Sequence, residues 1–320
     1  MMFAARCVGI SLAMFILLYV PLSLAVSRGW KFSLRAVKSG TARGSADLLF
    51  VLRVLPFVVA LAFTFVFTLP SFLLSTVLFL GPALLAWLLT AFRPDLLEMI
   101  SPQMVAGIIK AVSAQRRTSR ALMKWLDGSI VMEPAAGVPV YRTGKDSPTL
   151  TVAGVREPKV LVSEAAVAAL TASELRTALK HEMAHVRFYD NLKKLFFRFC
   201  AFPGMTALEH AWSEQSELAA DDAAVACIGD ALDLAAALIK VSRLAPAQPT
   251  AELATGLLHS STALSVRIQR LFLWEARPSP ARSWNFWYAL PPAAATGLVV
   301  ATTYSSALAQ LHVLTEWLVR

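Results

Sequence analysis

Two histidines four residues apart, with a glutamate directly after the first, occur in the run His181-Glu182-Met183-Ala184-His185. On a helix these two positions share one face about one turn apart, so both imidazoles can reach one cation. Glu182 projects from the adjacent position, where it can take a proton from an attacking water and pass it to a departing amine. A catalytic Zn²⁺ needs a third protein ligand besides water. Downstream, Glu217 and Asp221 again stand one helical turn apart in Ser216-Glu217-Leu218-Ala219-Ala220-Asp221-Asp222. Glu217 is the expected ligand, with Glu214 as the alternative. Asp221 is expected to accept a hydrogen bond from a ligand imidazole and fix its tautomer. The competing reading of Glu217, Asp221 and Asp222 is a solvated helix face.

These residues need rigid elements to hold them. Thr171-Ala172-Ser173-Glu174 has the pattern of a capping box, which starts a helix that runs on through Leu175, Leu179, His181 and His185. Ahead of it, short β-prone runs at Ser129–Met132, Val138–Tyr141, Leu150–Val155 and Lys159–Val162 are separated by turn residues. They predict a small antiparallel sheet. Ser101–Asp127 reads as a helix with Val105, Ile108, Ile109, Val112, Leu122 and Trp125 on its apolar side. Asp230–Leu244 and Ala263–Trp274 read as further helices, and Ala245–Thr255 as a loop. A sheet followed by helices makes this domain α+β.

The rest of the chain is a membrane anchor. Of the 320 residues, 57% are hydrophobic and 16% charged, an apolar excess over soluble proteins. Val8–Val26 contains no charge over 19 residues, which is enough to cross the bilayer. Its alternative reading is a signal peptide with Ser23-Leu24-Ala25 at the cleavage site. Val54–Phe92 contains no charge over 39 residues and divides at Pro70-Ser71 into two spans. Ser283–Thr315 is uncharged too, with Trp284, Trp287 and Tyr288 at its start. The expected organisation is an anchor over 1–92 with spans at 8–26, 54–70 and 71–92. A domain over 93–282 follows, then a fourth span and short tail over 283–320.

Charge orients these parts. Arg28, Lys31, Arg35, Lys38 and Arg43 fall in the loop 27–53, and Arg93, Lys110, Arg116, Arg117, Arg120 and Lys124 follow the second apolar block. The positive-inside bias puts both regions on the cytoplasmic side of the cell membrane and both termini outside. It also accounts for the net charge of +9 without a nucleic-acid partner. Cys7, Cys200 and Cys227 show no CxxC spacing, which fits a reducing compartment.

With HExxH and ExxxD in place, the stretch PKVLVSEAAVAALTASELRTALKHEMAHVRFYDNLKKL resembles the core of the BlaR/MecR-type antirepressor metallopeptidases, which are gluzincins. More distantly it is similar to the HtpX and CAAX-prenyl-protease group. The resemblance covers roughly residues 150–275 and the order of spans. It implies a zincin-like cytoplasmic domain with Zn²⁺ between the third and fourth spans, and a protein substrate such as a winged-helix repressor. HtpX-type proteins have membrane spans between HExxH and the third ligand. Here Asn191–Glu209 is short and carries Lys193, Lys194 and Arg198, which favours the antirepressor type. Sensor members carry an extracellular penicillin-binding domain after the last span. Only a short tail without Ser-x-x-Lys follows here, so β-lactam sensing is not expected.

In LLHSSTALSVRIQRLF, His259 is similar in position to a His-then-Arg-Ile element of the wider clan. It is read as an oxyanion-stabilising catalytic residue or as an ordinary loop histidine. Arg267 is expected to pair with a site carboxylate. His210 is expected to pack near Trp212, and Arg187 and Asp190 to orient the end of the HExxH helix. The expected activity is cleavage of a cytoplasmic or membrane-proximal protein, a repressor or the chain itself. The alternatives are quality control of membrane proteins and a catalytically silent signalling scaffold.

Overall fold

The computed structural model describes residues 2–36, 41–64, 102–135, 137–144, 147–200, 202, 204–244, 254–256, 261–274, 310 and 313. The expected third span, the fourth span apart from residues 310 and 313, residues 65–70 and His259 lie outside the described residues. The chain divides into two compact units, one of residues 1–26, 55–105 and 277–320, the other of 27–54 and 106–276.

Two long helices run through both units. Helix α1 (Met2–Ala36) includes Val8–Val26 and continues through Arg28 and Lys31; helix α2 spans Ala42–Phe63. The segment 27–53 is therefore largely helical, not a loop. Among the described residues α2 is the one helix long and apolar enough to cross a membrane. In the first unit Phe15, Tyr19 and Phe57 form an aromatic cluster with ring centroids 5.4–6.0 Å apart.

The second unit is mostly helical around a small mixed sheet. Helix α3 (Pro102–Leu126) precedes strands β1 (Ile130–Ala135), β2 (Val138–Thr143), β3 (Leu150–Ala153) and β4 (Lys159–Ser163). Then come helices α4 (Glu164–Ala169), α5 (Ala172–Arg187), α6 (Asp190–Phe199), α7 (Thr206–Ala224) and α8 (Ile228–Leu244). Strand β5 (Ala254–Gly256), which overlaps the end of the expected loop, and helix α9 (Ser261–Phe272) complete it. The strand order is β1-β2-β4-β3-β5. The sheet is not all antiparallel, because β2 pairs in parallel with β4, Tyr141 opposite Leu161. The connection through β3 brings β4 back beside β2 in the same direction.

Alternation along β4 divides the core between the two sheet faces. Val160 and Val162 face a cluster with Leu234, Leu238 and Val241 of α8, while Leu161 faces Leu122 and Trp125 of α3. Each fully buried leucine contributes about 1.5–3 kcal/mol. Leu175, Leu179, Met183 and Val186 lay α5 against the first cluster. That stripe leaves His181 and His185 on the far side of α5, with Glu182 between them and the stripe. Helix α3 differs in part from expectation: Leu122 and Trp125 pack on the sheet as expected, but Ile108, Ile109 and Val112 are exposed, and further along the helix Ala114 and Thr118 are the buried positions. A Cβ at Gly107 would overlap the Phe199 carbonyl oxygen, so α3 approaches α6 where only glycine fits.

Candidate metal centre

Helix α5 starts at the capping box read from the sequence. The Glu174 N–H donates to Thr171 Oγ1 at 3.2 Å, and Glu174 Oε2 accepts from the Thr171 N–H at 2.8 Å. Lys240 of α8 adds two bonds to the same carboxylate at 2.7 and 2.8 Å. Two turns on, His181, Glu182 and His185 are all buried.

The two imidazoles converge. Their Nε2 atoms are 3.1 Å apart. Each Nδ1 faces a carboxylate: His181 Nδ1 lies 3.0 Å from Asp221 Oδ1, and His185 Nδ1 lies 2.7 Å from Asp190 Oδ2. A carboxylate only accepts, so each favours the proton on Nδ1 and a free Nε2 lone pair; His185 donates a hydrogen bond to Asp190, whereas His181 and Asp221 meet as an ion-pair contact. Glu217 closes the group, with Oε2 3.5 Å from His181 Nε2 and Oε1 3.6 Å from His185 Nε2. Two lone pairs and a carboxylate facing one another repel unless a cation lies among them. His181, His185 and Glu217 converge within 4.8 Å and could hold a metal ion.

Arg267 of α9 grips the carboxylate side. Its Nε and Nη2 donate to Asp221 Oδ2 and Oδ1 at 2.8 and 2.7 Å, while Nη1 lies 2.9 Å from Glu217 Oε2. The expected pairing of Arg267 with a site carboxylate is present, with two carboxylates. Burial pushes Glu217 upward, but Arg267 and the two imidazoles outweigh it and hold the carboxyl well below its usual range. Asp221 shows the same balance and is held at about 2. For His181, burial acts downward, yet Asp221 and Glu217 raise the imidazole to about 9. That value reports the negative field in which a cation would sit.

Glu182 differs from these groups. It is fully buried, and neither carboxylate oxygen has a hydrogen-bond partner among the described residues. Burial raises its carboxyl to about 7 despite the opposing pull of His181 and His185. Such a group can both take and return a proton near neutrality.

Several expectations fall elsewhere. Glu214 is exposed, and the turn of α7 that buries Glu217 points it to solvent. His210 is exposed as well, while Trp212 is buried against Phe197 at 4.9 Å. Residues two apart on a helix point to nearly opposite sides. Arg187 is exposed. Asp190 was expected only to orient the helix end, yet it is the buried partner of His185. Tyr189 brings it there by adopting a left-handed conformation (φ 56°, ψ 36°), and α6 starts immediately after. Lys194 also went unread as a site residue. Burial lowers its ammonium to about 8 against the attraction of Glu217, Asp190 and Glu182.

No protein-family model matches the chain, and no curated protein matches it.

Proposed function

We propose that the chain is a membrane-anchored zinc endopeptidase of the antirepressor type, with a zincin-like domain. The observation that carries this reading is the unpartnered, buried Glu182 carboxylate beside two converging Nε2 atoms. A cation-binding group alone needs no such carboxylate; a proton-transfer centre does. His181, His185 and Glu217 would hold the metal. Zn²⁺ suits the donors, because ligand bonds of about 2.0–2.1 Å at tetrahedral angles put neighbouring donors about 3.3 Å apart. The observed separations are 3.1, 3.5 and 3.6 Å. When bound, Zn²⁺ supplies a Lewis acid that polarises the scissile carbonyl and acidifies water to a pKa of about 7. Glu182 takes the proton from the attacking water and delivers it to the departing amide nitrogen. Asp221 and Asp190 keep the imidazoles turned with Nε2 inward, and Arg267 fixes Glu217.

The apolar α2 supports membrane attachment. The four-span arrangement, cytoplasmic domain and outer termini belong to this proposal with it. The proposed substrate is a regulatory protein, such as a winged-helix repressor, or the chain itself.

Glu182→Gln separates this enzyme from a silent scaffold. The amide keeps the shape but accepts no proton, so cleavage in membranes should fall about 10²–10⁴-fold. Zinc content should stay near wild type, because no ligand is lost. A Glu182→Gln protein that retains zinc and full cellular function would sink the proteolytic reading.

A further inference from the structure

The His185 side of the site is tied to α2. Residues 42–54 of α2 belong to the second unit and present Ala46, Leu49 and Arg53 as buried positions at helical spacing. Asp47, Phe50 and Arg53 of this stretch meet α6, the helix that begins with Asp190. Near the start of α6, Lys193 Nζ donates to Asp47 Oδ1 at 2.8 Å and lies 4.0 Å from Asp190 Oδ1. Asp47 is held in turn by Arg43 Nε at 2.9 Å. Phe50 packs in the middle, its ring centroid 5.7 Å from that of Phe197. At the far end Arg53 donates to the carbonyl oxygens of Cys200 at 2.7 Å and Phe197 at 3.4 Å, and to Glu209 at 2.9 Å. These are carbonyls that a helix end leaves without intrahelical donors. Helix α2 therefore grips α6 at both ends, and it continues without a break from Asp47 to Phe63.

We propose that Lys193, held between Asp190 and Asp47, is a positioning residue through which α2 sets the orientation of His185 and so the site's hold on its metal. The inference rests on the metal-site reading above and adds its regulation. Groups that orient metal-bound histidines are worth about 10–100-fold in metal affinity. The Asp190 carboxylate carries out that task at 2.7 Å from His185 Nδ1. The Lys193 side chain is 11% exposed, so its charge is poorly screened and acts on Asp190 and Asp47 together. A shift of α2 that drew Asp47 from Lys193 would carry the ammonium away from Asp190, so that this carboxylate would lose the cation that fixes it and His185 would loosen.

The test uses full-length protein in detergent, with wild type, Asp47→Asn, Lys193→Gln, Lys193→Arg and the double variant Asp47→Asn/Lys193→Gln. The readouts are the rate at which a chelator removes zinc and the visible absorption bands of the Co²⁺-loaded protein. Asp47→Asn and Lys193→Gln should each speed metal loss about ten-fold and shift the cobalt bands. The double variant should be no worse than either single one, and Lys193→Arg should be close to wild type. Asp222→Asn, which breaks the exposed pair with Arg270, should change nothing. Asp47 is 39% exposed, so Asp47→Asn decides the matter even if Lys193→Gln fails to fold. A folded Asp47→Asn protein with wild-type metal release and unshifted bands overturns the proposal. Wild-type protein that takes up neither metal overturns the metal-site reading and this inference with it.

Discussion

The two histidines of the candidate metal centre sit on one helix and each faces a carboxylate, but their supports are built differently. His181 relies on Asp221, forty residues downstream on α7, and Arg267 of α9 locks that carboxylate with two bonds at 2.7 and 2.8 Å. His185 relies on Asp190, five residues downstream, with Lys193 at 4.0 Å and Asp47 of α2 beyond it. Both arrangements run from imidazole to carboxylate to cation. The first is short, fully buried and closed within α5, α7 and α9. The second passes through one exposed carboxylate into an apolar helix. One half of the centre is thus fixed by the domain core, and the other is open to whatever moves α2.

Arg267 should give the largest effect on stability. Arg267→Met leaves Glu217 and Asp221 buried beside each other without their guanidinium. Breaking a buried pair in this way costs about 3–5 kcal/mol. Lys193→Gln, next to the partly exposed Asp47, should cost about 1 kcal/mol or less. Unfolding of the metal-free proteins in denaturant would measure both. Equal losses would end the distinction between a locked and an adjustable half.

Metal affinity sharpens the same contrast. Asp221→Asn removes the charge facing His181 and disturbs Arg267, so zinc binding should weaken near the upper end of about 10–100-fold. Asp190→Asn disturbs no bidentate partner and should fall near the lower end. Competition with a chromogenic chelator gives both constants. Wild-type affinity in Asp190→Asn would show that the 2.7 Å contact with His185 does not orient the ligand.

The locked half was legible in the sequence, and the adjustable half was not. HExxH and ExxxD are local patterns whose spacing equals one helical turn, so the group His181, His185 and Glu217 and the carboxylate that faces His181 could be read without knowing the fold. Asp190 had no such signature. Its role depends on Tyr189 adopting a left-handed backbone that sequence usually announces with glycine or asparagine. Basic residues from Arg28 to Arg43 made 27–53 look like a loop, yet Arg43, Asp47 and Arg53 stand on a helix. These charges pair with each other or with Lys193 and Glu209, a long-range fact that no local pattern encodes. The parallel β2–β4 pairing was missed for a related reason: short strands show their faces, not their neighbours.

The smallest effect concerns α5, which both halves share. Glu174 closes the capping box at the start of this helix and pairs with Lys240 of α8, about two turns from His181. Burial raises its carboxyl, but Lys240 and the Thr171 N–H outweigh that and hold it below the usual value. A carboxyl lowered in the folded state contributes stability above its unfolded pKa, about 4.3, and loses it as pH falls through the folded value. Glu174→Gln should therefore cost about 1 kcal/mol at neutral pH, in the range of a lost helix cap. The gap from wild type should close as the pH drops below about 4. Zinc affinity at pH 7 should stay within two-fold, because the cap fixes where α5 begins and not how its imidazoles turn. Denaturant midpoints between pH 3 and pH 7, with zinc titrations alongside, make the test. A Glu174→Gln protein that loses zinc in step with stability would mean the helix start tunes the site as well. The two halves would then no longer be set independently by Asp221 and Asp190.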